Sequence, residues 1–323
     1  MNLTRKAHCL LLCGVAPLML TLSLPLTALA AAPAEATAHG YTVNTYSSDF
    51  TAQTVDMNHT LNRGYKWYLY DIFGKKANPL NIRLNSDGSV TLLGDATQGE
   101  LMSATPYPGT NSYVGTAFGG GAYIEAVFHY DPAQVMAAHA NGARVIWPSF
   151  WSLPMEGSIF PNADQWPGQP TGYKHHVEVD MFEADLFNYP TAYGVGLHDW
   201  YGIPNKTCAV GLCGVGMLNP SGVRVPPAGT NFTQYHTYGF LWVPATATTS
   251  GSMSAYFDGQ LVGHTRTWTQ YTNQPPTPVG QPWLFGRMDQ QHIFFILSTG
   301  YGQPYTIKSV NVWQKNASSN LTN

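Results

Sequence analysis

Charge is what this chain has least of. Asp, Glu, Lys and Arg make up 10% of its 323 residues, with 18 acids against 15 bases. That scarcity argues against long amphipathic helices, whose solvated faces carry many charges. No internal repeat is visible, and no glycine loop opens a helix. Gly119-Gly120-Gly121 precedes a strand pattern, so it is not a phosphate cradle. Cysteine is scarce too, at four. Cys9 and Cys13 fall in an N-terminal apolar run. Cys208 and Cys213 lie close together in a Gly-rich segment with no third or fourth metal ligand nearby. In an oxidising compartment that pair predicts a local disulfide rather than a metal site.

The N-terminal run explains the compartment. Arg5 and Lys6 lead into apolar residues from Leu10 to about Leu29, and Ala28-Leu29-Ala30 offers a small-residue cleavage site. Residues 1–30 therefore read as a signal peptide, predicting a secreted, extracellular or periplasmic protein with no membrane attachment after cleavage. Its removal leaves 13 bases against 18 acids. A net charge near −5 argues against nucleic acid or an anionic membrane as partner. Residues 31–44 read as a small-residue linker, 45–315 as one domain, and 316–323 as a loose polar tail.

What the chain does have is aromatic residues (13%), 32 glycines and 23 prolines. Short alternating or apolar runs separated by turn residues predict an all-β sandwich or barrel. Asn85-Ser86-Asp87-Gly88 and Asp258-Gly259 are hairpin signals. One segment, Pro132 to Asn141, reads as a short helix with proline at its start.

The chemistry concentrates in His175-His176-Val177-Glu178-Val179-Asp180-Met181-Phe182-Glu183. Strand alternation puts Glu178 and Asp180 on one face. Glu183 lies five residues after Glu178, and a bulge at Met181-Phe182 restores it to that face. Four effective steps separate the two glutamate Cα atoms by about 13 Å. Side chains leaning inward bring the carboxyls to roughly 5–5.5 Å, the spacing of a nucleophile and an acid/base in retaining glycosidases. Asp180 sits between them, able to share a proton with the nucleophile. The plainer alternative is an acidic surface strand.

Glu178-x-Asp180-x-x-Glu183 resembles the bulged catalytic signature of family 16 glycoside hydrolases, which include laminarinases, agarases and κ-carrageenases. The resemblance extends in order over most of residues 45–314. Gly121 to Ala126, Trp147-Pro148-Ser149-Phe150-Trp151-Ser152-Leu153-Pro154, His236-Thr237-Tyr238-Gly239 with Trp242, Tyr256-Phe257-Asp258-Gly259 and Val310-x-Val312-Trp313-Gln314 are all similar to family segments. It implies a β-jelly-roll sandwich of two curved antiparallel sheets, concanavalin A-like, with a concave polysaccharide cleft. It also implies that Glu178 is the nucleophile, Glu183 the acid/base, Asp180 the assisting carboxylate and Trp151 a cleft aromatic. No cofactor is required. Some members carry a structural Ca²⁺, for which no ligands are assigned in this chain.

Further candidates follow from position. His198 is expected to face Glu183 from the neighbouring strand and adjust its proton, or else to be a satisfied strand histidine. Trp147, Trp166 and Trp200 are candidates to stack on sugar rings, with core filling as the alternative. Trp242, Tyr256 and Trp313 read as core. His175 and His176 adjoin the acids, yet adjacent strand residues point to opposite faces and so do not share a metal. The segment from Trp200 to Arg224 has no counterpart in the family pattern. The expected activity is endo-acting retaining hydrolysis by a monomer. The expected substrate is a β-1,3- or mixed β-1,3/1,4-glucan, because the segments beside the acids offer few cations: Arg144, Lys174 and Lys206. Agarase or other galactanase activity, transglycosylation, and a non-catalytic lectin-like protein are the alternatives.

Overall fold

Turn chemistry places the strands much as the sequence predicts. Asp258 and Gly259 take φ values of 48° and 75°, the left-handed pair that a two-residue hairpin needs. They join strand Gly251–Phe257 to strand Gln260–Trp268. Gly88, at φ 82°, closes the turn between Ile82–Leu84 and Val90–Leu92. Helix Pro132–Ala140 starts where expected, and the Asp131 carboxylate caps it by accepting from the Ala133 N–H. The computed structural model describes residues 31–71, 74–94, 100–107, 112–142, 147–158, 174–185, 189, 191–202, 214–217, 223–272 and 285–323. Residues 1–30, where a signal peptide is expected, and Trp166, Cys208 and Cys213, where a sugar platform and a disulfide are expected, lie outside them.

Two antiparallel sheets form the sandwich. The back sheet runs in the order Gln260–Trp268, Gly251–Phe257, His236–Val243, Ala122–Tyr130, Tyr305–Gln314, Val90–Leu92, Ile82–Leu84, and Val43–Ser48 also pairs with Tyr305–Gln314. The front sheet runs Gly214–Met217, Tyr193–Gly202, Lys174–Glu183, Ser149–Pro154, Ile293–Ser298, Leu101–Met102, Trp67–Tyr68, Val55–Asp56. Among the described residues its one parallel pair is Val55–Asp56 with Trp67–Tyr68. Between the sheets lies a continuous apolar core, to which the acidic strand contributes Val177, Val179, Met181 and Phe182. This is the all-β jelly-roll architecture expected.

A second apolar cluster covers part of the front sheet's outer face. Trp151, Leu153, Phe294 and Ile296 alternate with core residues and pack with Tyr68, Tyr70 and Met102. Above them sits a small third sheet of Ala104–Pro106, Tyr113–Ala117 and Leu321–Thr322. Val114, Ala117 and Leu321 of that sheet join the cluster. This closes the Ser149–Pro154 and Ile293–Ser298 half of the face and leaves the acidic strand at the border of the open half.

Both ends of the domain differ from expectation. Residues 31–44 are not a loose linker: Ala34–Thr37 is a helical turn, Ala36 and Tyr41 are buried, and the Tyr41 hydroxyl donates to the Trp242 carbonyl at 2.9 Å. Val43 already pairs with Gln314. The polar tail is likewise tied down, with backbone bonds in both directions between Gly115 and Asn323. Composition misled at both ends, because small and polar residues pack well where a sheet edge offers them hydrogen bonds.

One close approach sits beside the front sheet. Gly94 has φ 77°, and a Cβ there would lie 2.1 Å from the Gly300 carbonyl oxygen. Gly142, at φ 98°, has nothing within 4 Å of such a Cβ. Gly142→Ala is expected to cost about 1 kcal/mol from its φ alone. Gly94→Ala adds a backbone clash costing about 2 kcal/mol more. Thermal unfolding of the two variants checks this, and equal shifts in Tm would contradict it.

Candidate active site

The bulge forms where it was expected. Opposite Ser149–Pro154, Glu183 pairs with Ser149, Phe182 with Phe150, and Asp180 with Trp151, leaving Met181 without a partner. Met181 and Phe182 are both buried in the core. Phe182 is held by rings on every side: Phe128 at 4.6 Å, Tyr238 at 4.9 Å, Tyr193 at 5.2 Å and Tyr130 at 5.5 Å between centroids. With two consecutive side chains turned inward, Glu183 returns to the outer face with Glu178 and Asp180.

The neighbouring strand Tyr193–Gly202 makes room for them. Its outward positions are Gly194, Gly196, His198 and Trp200 by alternation. Gly194 pairs with Glu183, Gly196 with Asp180 and His198 with Glu178. A Cβ on Gly194 would touch Glu183 Oε2 at 3.4 Å, and one on Gly196 would meet His198 Nε2 at 3.1 Å and Asp180 Oδ2 at 3.4 Å. The missing side chains are the space that the acids and the histidine occupy.

Among the described residues, each carboxylate has a close side-chain partner. The Trp200 indole N–H donates to Glu178 Oε2 at 2.6 Å. The Trp147 indole N–H donates to Glu183 Oε1 at 3.2 Å. His198 Nε2 lies 2.7 Å from Asp180 Oδ2. Sequence reasoning placed Trp147, Trp200 and His198 at the site, and the structure brings all three there. The tryptophans present their N–H edges to the two glutamates. His198 bears on Glu183 through its charge, as expected, while its direct contact is with Asp180. Register explains that contact: with Glu178 opposite it, the His198 ring leans over the bare Gly196 onto Asp180. Trp151 lies on the same face but is walled into the second apolar cluster, with its N–H on Ser298 Oγ at 3.1 Å.

Burial sets the protonation of the three acids. It pushes Asp180 up to about 7. Burial first, and then the Asp180 charge, push Glu178 and Glu183 up to about 8 each. His198 and the tryptophan N–H groups pull both glutamates down, less strongly. Each glutamate also feels a smaller push from one more acid, Glu178 from Glu183 and Glu183 from Asp185. The two therefore stand alike in acidity, and the shorter indole bond favours the carboxylate at Glu178.

The two preceding histidines separate as alternation requires. His175 turns into the interior, where its Nε2 meets Asp199 Oδ1 at 2.5 Å. Among the described residues, one group has donors close enough to hold a metal ion: Glu178, Asp180 and His198, with ligand atoms within 4.8 Å of one another. The short contact between His198 and Asp180 already engages two of the three.

Sequence reasoning missed Tyr189. Its ring and Glu183 Oε2 both lie 3.4 Å from where a Gly194 Cβ would be. The only signal was its place in the short loop after the acidic strand.

No family model and no curated protein matches the chain. Solved structures do. An endo-1,3-β-glucanase from Streptomyces sioyaensis is 15% identical, covers 87% of this chain and 97% of its own, and has a TM-score of 0.43. The κ-carrageenase from Pseudoalteromonas carrageenovora, solved with a κ-carrageenan oligotetrasaccharide, is 12% identical over 76% of this chain and 85% of its own, at a TM-score of 0.40. The lectin-like defence protein arcelin-5 from Phaseolus vulgaris is 9% identical over 83% and 96%, at a TM-score of 0.36.

The raised acids give a pH signature in stability. In the unfolded chain a glutamate titrates near ~4.3, and in the folded protein these two titrate at about 8. Between those values the folded state holds protons that the unfolded chain has released, so stability falls as pH rises. Tm is expected to decline from pH 5 to pH 8. Glu183→Gln, which removes one such titration, should flatten the decline. A Tm that rises across this window would contradict the raised values.

Proposed function

We propose that the protein is a retaining endo-glycosidase of the family 16 type, with Glu178 as nucleophile, Glu183 as acid/base and Asp180 as the assisting carboxylate. One observation carries the reading: a bulged strand presents three acids on one face, with each outer glutamate held by an indole N–H and raised to about 8 by burial and by the Asp180 charge between them. The shorter of the two indole bonds favours the ionised form at Glu178. Two carboxyls flanking a third on one strand face are what double displacement needs, one as nucleophile and one as acid/base.

In the first step Glu183 donates its proton to the glycosidic oxygen while Glu178 attacks the anomeric carbon. The bond to the leaving sugar breaks and a glycosyl-enzyme ester forms. In the second step Glu183, now a carboxylate, takes a proton from water, the water oxygen attacks the anomeric carbon, and Glu178 is released. Asp180 lies between the glutamates, raises both by its charge and is held by His198. It offsets the change of charge on Glu178 through the cycle. No step calls for a metal or an organic cofactor.

A neutral β-glucan suits the site better than a sulfated polymer. The groups acting on Glu178 and Glu183, among the described residues, are acids, His198 and two indoles, with no lysine or arginine among them. A sulfated chain entering a cluster of carboxylates would be repelled without a cation to receive it. The open cleft face of a strand, rather than a closed pocket, fits internal cleavage of a polymer.

Reducing-end release from laminarin, lichenan, agarose, κ-carrageenan and xyloglucan tests the assignment, with Glu178→Ser alongside. The expected result is cleavage of a neutral β-glucan, with a loss of at least about 10³-fold in Glu178→Ser. Retention of the β-anomer in the first product, followed by NMR, tests the mechanism. Undiminished activity in Glu178→Ser, or inversion at the anomeric carbon, would overturn the assignment.

A further inference from the structure

The acid/base is flanked by an aromatic side chain and a groove that the mechanism above does not use. Tyr189 sits in the turn that follows the acidic strand, and its backbone is fixed at both ends. Its N–H donates to the Asp185 carbonyl at 2.8 Å, and its own carbonyl accepts from the Ala192 N–H at 3.3 Å. The ring lies over the bare backbone of Gly194, beside Glu183 Oε2. The residue is half-buried.

Two residues further along the chain a groove begins. Thr191, Val225, Pro226, Pro227, Thr230 and Phe232 line it. Strand pairing fixes where it lies. Gly194 pairs with Val223 and Tyr193 with Arg224, so Val225 comes level with Ala192, just past the row that holds Glu183. Val225 is 66% exposed. The prolines are rigid, and the Thr230 hydroxyl and N–H close a turn back onto the Pro227 carbonyl at 2.7 and 3.2 Å. The groove thus offers apolar faces with hydroxyl groups along them. Such a surface matches a pyranose ring, which is apolar on its C–H faces and polar at its rim.

We propose that Tyr189 is the platform for the sugar that carries the departing oxygen, and that the groove from Thr191 to Phe232 receives the next sugars on the leaving side. This rests on the glycosidase reading. Glu183 must reach the glycosidic oxygen to protonate it, so the sugar bearing that oxygen lies nearest the ring that shares Gly194 with Glu183. The strand on one side of the acids is covered by the Trp151 cluster, whereas the groove begins two residues beyond Gly194, the partner of Glu183. The same surface would hold an acceptor sugar when the glycosyl-enzyme is attacked by a hydroxyl group instead of water. The platform therefore bears on the balance between hydrolysis and transfer.

The test uses oligosaccharides of the polymer the wild-type protein cleaves, with a fixed glycone end and one to three sugars on the leaving side. In wild type, kcat/KM should climb with each leaving-side sugar. In Tyr189→Ala the gain from the first of these should shrink by about tenfold, the size of one aromatic stacking contact, while Tyr189→Phe should keep it. Val225→Asp, at an exposed position that folding does not depend on, should reduce the gain from the second and third sugars. The proposal is overturned if Tyr189→Ala shows the wild-type climb, if Tyr189→Phe is as impaired as Tyr189→Ala, or if the loss follows glycone length instead. A wild-type protein inert toward every polymer and oligosaccharide is a separate result. It would overturn the glycosidase reading and this proposal with it.

Discussion

Phe182 holds the active face in place. A regular strand cannot turn Met181 and Phe182 to the same side, yet both are buried, because the interior rewards burial of a phenylalanine by about 1.5–3 kcal/mol. The ring lies among Phe128, Tyr130, Tyr193 and Tyr238, contributed by both sheets. That packing fixes the bulge, and the bulge fixes the direction of Glu183. A core contact on one side of the sheet thus determines the chemistry on the other. The cost of the arrangement falls on the ladder, where Met181 has no partner across from it.

Crowding three carboxyls on one face would be unfavourable in a fully ionised state. The structure meets this by burial, which keeps protons on the cluster, and by single, directed donors. An indole N–H can only donate, so each tryptophan favours negative charge at one chosen oxygen. Trp200 comes from a strand and Trp147 from the segment leading into another. The two bonds differ in length accordingly, 2.6 Å against 3.2 Å. Otherwise the two glutamates are raised alike, by burial and by the Asp180 charge between them.

Much of this was legible in the sequence because it rests on period-two alternation. Glu178 and Asp180 sharing a face, His175 and His176 parting, and the bulge before Glu183 all follow from counting residues along one strand. Relations between strands were less legible. That His198 contacts Asp180 rather than Glu183 depends on register and on the bare backbone at Gly196, which no single segment reveals. The tryptophans were found by type and position, but their N–H bonds need three-dimensional placement. Tyr189 escaped because a loop residue has no period to betray its direction. The ends misled for a related reason: small and polar composition looks like disorder until a sheet edge supplies partners for it.

All three carboxylates come from ten consecutive residues of one strand, Lys174–Glu183. Trp147 and Tyr189, which approach Glu183 from other directions, come from connections outside the strands. Heredity can therefore act on the two separately. A connection can lengthen, shorten or change its side chains while the strand keeps its register in the sheet. The reverse route is closed, since one residue gained or lost between the acids turns those beyond it to the opposite face. A lineage built on this plan would diversify at its loops and stay fixed at its strand.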